Sequence, residues 1–454
     1  MANLASVYSN QDRLDKAEEL YHKVLKTGQR VLHSNHTDIH TYRGNLAAIY
    51  WKQGRLMEAE ALQEKILEEK QQTLGDEHPS ALNSMLNLAL MYREKGSLQA
   101  AEELETNVLR QRERTHGKDH LQTLKVMSNL AATCHSRGDW KRAEMLAATA
   151  VEKREKVLGR EHPDTLDSKG ILAAIYRDLA MLDAAESLQS EVAAAREQAL
   201  GPDHRETLGS RSALATTYCM QGRWEEAQAL QESVALASIR VLGSDHPNTL
   251  STVANVATTY WNQGQYEAAE AVQQETLDRL TRLYGPAHPE TTTITANLAA
   301  TYLAMGRLEE AKDLQQEALT RLHIALGPEH PDTLNSRANL ASIWHAMGEY
   351  AAAESVQRSL VSIASRILGP EHPQTLMNMH NLAATCTQLD QYAEARKLFG
   401  KILDVRHRVL GPRHSLTMET VEILASLTEL PEDTGSVNLE ELMPSAGASV
   451  LETS

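Results

Sequence analysis

Nine histidines recur at one interval of 42 residues: His78, His120, His162, His204, His246, His288, His330, His372 and His414. Imidazole is a common metal ligand, so such a ladder raises the possibility of a metal array. Zinc holds its nitrogen ligands about 2 Å away, whereas packed helices stand roughly 8–10 Å apart, so neighbouring copies cannot share an ion. The histidines are therefore expected to cap helices or to bond between them. A second cluster, "HSNHTDIH" (33–40), puts His33, His36 and His40 near one helix start. With no Cys or carboxylate partner evident in the sequence, a polar loop is expected there, with zinc as the alternative. Acidic pairs at 225–226 and 309–310 fall on exposed helix faces and read as solvated. No nucleophile–base pairing, oxyanion motif or Gly-rich phosphate loop occurs. The residues point to no enzyme, no metal and no cofactor.

The elements that carry these histidines are repeats. "LGDEHPSAL" at 74, "LGREHPDTL" at 158, "LGSDHPNTL" at 242, "LGPEHPDTL" at 326 and "LGPEHPQTL" at 368 all start a multiple of 42 residues apart. Gly54, Gly96, Gly138, Gly222, Gly264, Gly306 and Gly348 share one phase, which Ala180 and Asp390 fill where glycine is missing. Five residues later every copy has alanine, from Ala17 to Ala395. Tyr50, Tyr92, Tyr176, Tyr218, Tyr260, Tyr302 or Trp344 stands four residues before the glycine, and Cys134 and Cys386 take the same slot, which reads them as buried small hydrophobes.

Each unit holds two helix-like stretches. In "TLNSRANLASIWHAMG" (333–348), Leu340, Ala341 and Trp344 share one stripe at helical spacing. In "RLEEAKDLQQEALTRLHIALG" (307–327), Ala311, Leu314, Ala318, Leu319, Leu322 and Leu326 do the same. Gly327 is expected to end its helix at a left-handed C′ position, Pro328 to block continuation and Pro331 to open the next helix. Strand signals are absent. One helical pair cannot bury its stripe alone, so the units must stack. The reading is an all-α solenoid: ten copies and a closing half-repeat over residues 1–428, then an acidic tail over 429–454 expected to be disordered. The first copy lacks the usual lead-in, which suggests a fragment or an end that something else covers.

The 454 residues carry a net charge of −16, which argues against nucleic acid as a partner because that role needs cations to displace counterions. No apolar run approaches the roughly 18 residues of a membrane span, and no signal-peptide layout opens the chain. Three cysteines form no disulfide framework and suit a reducing compartment, so a cytoplasmic location is expected.

"NLAxxYxxxGxxxEAE" with the "LGxxHPxTL" connector resembles the tetratricopeptide repeat, in the 42-residue form typical of kinesin light chains. The resemblance covers residues 1 to about 428 and implies a right-handed superhelix that binds protein or peptide segments, with kinesin heavy chain or cargo as partners. Three departures stand out. Gln63, Gln189, Gln231, Gln273, Gln315 and Gln357 replace an aromatic that the family often places four residues after the key alanine. No heptad region precedes the array, and ten repeats exceed the family's usual six. Such arrays also resemble the repeat regions of signalling ATPases of the nucleotide-oligomerisation type, whose phosphate loop is missing here. A sensing arm is therefore the alternative to an adaptor.

One face of the first helix carries Asn45, Asn87, Asn129, Asn255, Asn297, Asn339 and Asn381. The resemblance implies that it lines the binding groove, and an amide offers the donor and acceptor that match a peptide backbone. Ile171 and Ala213 interrupt this ladder and, with Met220, suggest an apolar anchor point. The nine windows from 39–54 to 375–390 hold ten basic and four acidic residues, so the groove is expected to be neutral to mildly positive and the outer surface acidic. A carboxylate clamp is disfavoured because Ile171 stands where its second Asn belongs.

Overall fold

The structure is a computed structural model and describes residues 1–10, 13–31, 37–53, 55–286, 288–412 and 414–428. His33, His36 and the tail at 429–454 lie outside the described residues. Among those described there are 21 α-helices and no strand. They fall into two compact units, Met1–Ser136 and Arg137–Ser454. The first holds α1 (Ala2–Asn10), α2 (Leu14–Val31), α3 (Thr37–Lys52), α4 (Leu56–Leu74), α5 (Pro79–Glu94), α6 (Leu98–His116) and α7 (Leu121–Ser136). The second holds α8 (Trp140–Leu158), α9 (Pro163–Asp178), α10 (Leu182–Leu200), α11 (Arg205–Met220), α12 (Trp224–Leu242), α13 (Pro247–Asn262) and α14 (Tyr266–Tyr284). It continues with α15 (Pro289–Ala304), α16 (Leu308–Leu326), α17 (Pro331–Ala346), α18 (Tyr350–Ile367), α19 (Pro373–Gln388), α20 (Tyr392–Val409) and α21 (Ser415–Thr428). Odd-numbered helices open the repeats and are called A helices; even-numbered ones close them as B helices. Within each unit every helix packs on the one before and the one after, the contact pattern of an all-α solenoid.

Two kinds of glycine end the helices, and their backbones explain why, among the described residues, only one kind is replaced. After an A helix the chain closes a Schellman turn: the Arg307 N–H donates to the Tyr302 carbonyl at 2.8 Å and the Met305 N–H to Thr301 at 3.0 Å. Gly306 there has φ +75°, and Ala180 and Asp390 fill the equivalent place at φ +56° and +58°, within the left-handed region that L residues can enter. After a B helix, Gly327 has φ +90° and ψ +170°. That combination is not the left-handed C′ conformation expected from the sequence; it lies in a region closed to side chains, which accounts for glycine at this phase at every repeat from Gly75 to Gly411.

The helix starts are made by histidine. His330, in extended backbone before Pro331, accepts the Asp332 N–H at Nδ1 over 3.2 Å. The other eight recurrent histidines do the same, at 3.1–3.3 Å.

Between repeats the core is built on close approach. All ten phase alanines, among them Ala59, Ala185 and Ala311, have no exposed surface. Buried polar groups then set the register. The glutamines that replace the family's aromatic lie inside the stack: Thr217 donates to Gln189 at 2.5 Å, Thr301 to Gln273 at 2.7 Å, and Thr259 to Gln231. Arg154 and Arg406 reach from their B helices into the second turn of the next A helix, donating to Ser168 and Thr420 at 2.7 and 2.8 Å. Lys169, 1% exposed, joins three helices by pairing with Glu155 and Glu191, each at 2.7 Å. An ion pair this deep gains little net stability but penalises misregistered packing that would strand its charge.

Glu105 on α6 occupies the glutamine phase and is 1% exposed, with no partner for its Oε2. Burial pushes its carboxyl up to about 7, and Thr133 and Arg93 draw it only partly back. An unfolded glutamate titrates near 4.3, so the folded state holds a proton that the unfolded state releases. The associated stability is complete below that value and is lost as pH rises through about 7. Glu105→Gln should therefore stabilise the first unit at pH 8 by on the order of 2 kcal/mol and change little at pH 4.5, as read from urea unfolding at the two pH values.

Candidate partner-binding face

Each A helix turns one row, spaced i, i+4, i+7 and i+11, away from the packed core. On α13 the row is Ser251, Asn255, Thr258 and Asn262; on α15 it is Thr293, Asn297, Ala300 and Ala304. Asn335, Asn339, Ser342 and Ala346 follow on α17, and Met377, Asn381, Ala384 and Gln388 on α19. None of these is charged. The row exists because the opposite stripe, Leu298 and Ala299 on α15 for example, is 1% exposed and buried against the B helices. The A helices α11 and α13 touch, as do α15 and α17, and α17 and α19, so within the second unit these rows sit side by side.

The ladder asparagines do not all behave alike. Asn87 is exposed and the other six are half-buried. Asn45 donates to Tyr21 Oη at 3.0 Å, and Asn255 to Ser212 Oγ on the preceding A helix at 3.2 Å, so these two brace neighbouring repeats. The side-chain amides of Asn87, Asn129, Asn297, Asn339 and Asn381 make no hydrogen bond within the described residues. Asn45, Asn87 and Asn129 belong to the first unit, and the rest of the predicted residues to the second.

Ile171 on α9 and Ala213 and Met220 on α11 are half-buried. Beside them stand Gly209, one turn before Ala213, and Gly170, next to Ile171. A Cβ added at either would meet nothing within 4 Å. Glycine in a helix interior costs about 1 kcal/mol relative to alanine, and no packing neighbour here requires it. Small and apolar groups thus take the place of the asparagines on α9 and α11.

Several cations that the sequence assigns to these helices do not reach the face. Arg43 pairs with Glu69 at 2.5 Å, Arg211 bonds Ser233 at 3.2 Å and Arg337 bonds Ser359 at 3.3 Å, all between helices. With Lys169 similarly engaged, the face from α13 to α19 is neutral. The signal was present in the sequence: windows 249–264 and 291–306 contain no Lys, Arg, Asp or Glu. His40 does have a carboxylate partner, Glu69 at 3.0 Å, which the sequence did not reveal because it lies 29 residues away. Burial lowers the His40 pKa against the pull of that carboxylate. No cluster of three or more His, Cys, Asp or Glu that could hold a metal occurs among the described residues, and no helix among them is long and apolar enough to cross a membrane.

Sequence profiles of the tetratricopeptide repeat match residues 37–113, 164–234, 206–281, 249–323, 292–364 and 339–408, and also 1–38 and 123–164. The chain belongs to the tetratricopeptide repeat family. No curated protein sequence matches it significantly. Among solved structures it is similar to a kinesin light chain-like protein of Podosopora anserina with nearly identical repeats, at 29% identity, covering 45% of this chain and 97% of that one, with a TM-score of 0.40. A Rap protein complexed with the competence and sporulation factor shares 12% identity over 83% of this chain and 100% of its own, with a TM-score of 0.51. The apo quorum sensor NprR of B. thuringiensis shares 16% over 77% and 93%, with a TM-score of 0.47.

Two classes of substitution separate bracing from free positions. Asn45→Ala and Asn255→Ala should each cost about 1 kcal/mol in chemical denaturation, the net value of one hydrogen bond. Asn339→Ala should leave stability unchanged. Gly209→Ala should raise it by about 1 kcal/mol.

Proposed function

We propose that this chain is a protein-interaction scaffold whose A-helix face holds extended segments of partner proteins. The supporting observation is the row of asparagine amides that no group among the described residues uses. Each presents a donor and an acceptor, the complement of a peptide unit. An extended segment advances about 3.3 Å per residue, so amides roughly 10 Å apart meet every third residue. The neutral face from α13 to α19 suits a segment without a charged anchor. The half-buried apolar groups Ile171, Ala213 and Met220 suit one hydrophobic side chain. A Rap protein with this fold is seen complexed with the competence and sporulation factor, which is in keeping with a binding role.

The particular partner that the kinesin light chain resemblance would supply is a motor heavy chain or its cargo. We place the protein in the cytoplasm, a reading supported by three free thiols, two of them sealed in the core.

The test is selection of binding peptides from a displayed random library, followed by a comparison of variants. Asn297→Ala, Asn339→Ala and Asn381→Ala combined should weaken a selected peptide at least tenfold, at about 0.5–1.5 kcal/mol per bond, with the melting temperature unchanged. Ile171→Asp should weaken peptides that carry an aliphatic residue. Unchanged affinity in both variants would contradict the proposal.

A further inference from the structure

All nine helix-capping histidines use Nδ1 as an acceptor, so each ring must be neutral for its cap to exist. Protonation turns that nitrogen into a donor facing another donor, and sets a cation at the positive end of a helix. Serine, threonine and asparagine, the usual caps, have no such sensitivity. Seven of the nine, from His162 to His414, lie in the second unit. We propose that these histidines make the second unit acid-sensitive: as their rings take up protons the caps release together and the repeats come apart.

The charges around the caps decide whether this can happen. Asp203, Glu329 and Glu371 each precede a capping histidine and would favour its protonation, but Arg240, Arg366 and Arg408 from the following B helices engage them. Asp245, before His246, faces Arg279 at 3.7 Å. Beside His162, Arg160 pairs with Glu155 at 3.4 Å, and Glu161 and Asp164 stand one and two residues from it in sequence. Arg205 and Glu206 follow His204, and Glu290 follows His288, whose ring stacks on Tyr284 at 4.3 Å. Asp332 Oδ2 stands 3.6 Å from His330 Nδ1, the closest pull toward protonation. His414 faces Arg406, which acts with burial to lower its pKa.

Two other imidazoles of the unit work in the same sense. His345 bonds Thr385 at 3.0 Å, lies edge-on to Tyr350, and is lowered by burial. His380 lies edge-on to Phe399 and is held down to about 4 by burial and Arg406. An unfolded imidazole titrates near 6.5, so these groups stabilise the fold fully above that value and progressively less as pH falls toward 4. The first unit, whose described caps are His78 and His120, has His40 lowered by burial in the same sense but Glu105 opposing it, and should show a smaller trend.

The experiment is thermal unfolding without any partner, followed by circular dichroism at pH 7.5 and 5.5, so its outcome is independent of the binding proposal. The natural chain should lose about 10 °C in its second-unit transition between the two pH values. A variant carrying His204→Asn, His246→Asn, His330→Asn and His372→Asn, which keeps an acceptor at each cap, should lose less than half as much. Equal losses in both proteins, or none in the natural chain, would overturn the inference. Nitrogen-15 spectra of the natural chain at pH 7.5 give a check that needs no variant. They should show the capping rings with Nδ1 unprotonated, and Nδ1–H tautomers there would equally overturn it.

Discussion

The close approach of neighbouring helices at the alanine phase is the constraint on which the stack depends. All ten alanines are fully covered. Each marks a place where a B helix lies so near its neighbours that any larger side chain would force them apart, and cores respond to such overpacking with losses of about 1–3 kcal/mol. The same contact recurs every 42 residues, so its geometry is multiplied along the unit. A solenoid has no central core to absorb an error, because every repeat touches only its neighbours.

Within that tight frame, polar groups supply what apolar packing lacks, which is direction. A leucine can slide by a turn along a neighbouring helix with little loss, whereas a buried glutamine paired with a threonine cannot. Gln189, Gln231 and Gln273 are placed so that each finds its threonine only when successive repeats are in register. Leu280 and Leu322 are buried where other repeats use a basic residue, so an apolar block interrupts the polar solution along the chain. The proposed binding face is what remains after both kinds of packing are satisfied: side chains that no neighbour needs.

Much of the fold was legible because the repeat places glycine, proline and alanine at fixed phases, each with one local meaning. The helix boundaries at Gly327 and Pro331 follow from backbone chemistry alone. What the residues could not give was anything set across repeats. The conformation of Gly327 departs from the expected one because its cap hands the chain directly to the next repeat, a fact of three-dimensional continuity. Arg43 and Lys169 look like surface cations in a helix window, yet their partners lie 14–26 residues away and take them out of the face. For the same reason Asn45 and Asn255 are indistinguishable by phase from Asn339, although they brace repeats and it does not. Position in the repeat identifies a face; only the packed neighbours show which members of it are free.

The claim that the A helices carry the partner is tested most directly by hydrogen exchange on the chain with and without a bound peptide. The account predicts slowed exchange confined to A helices of the second unit, α13, α15, α17 and α19 foremost, with the B helices α14, α16 and α18 unchanged. Protection on the B helices, with the A helices exchanging as in the free protein, would contradict it.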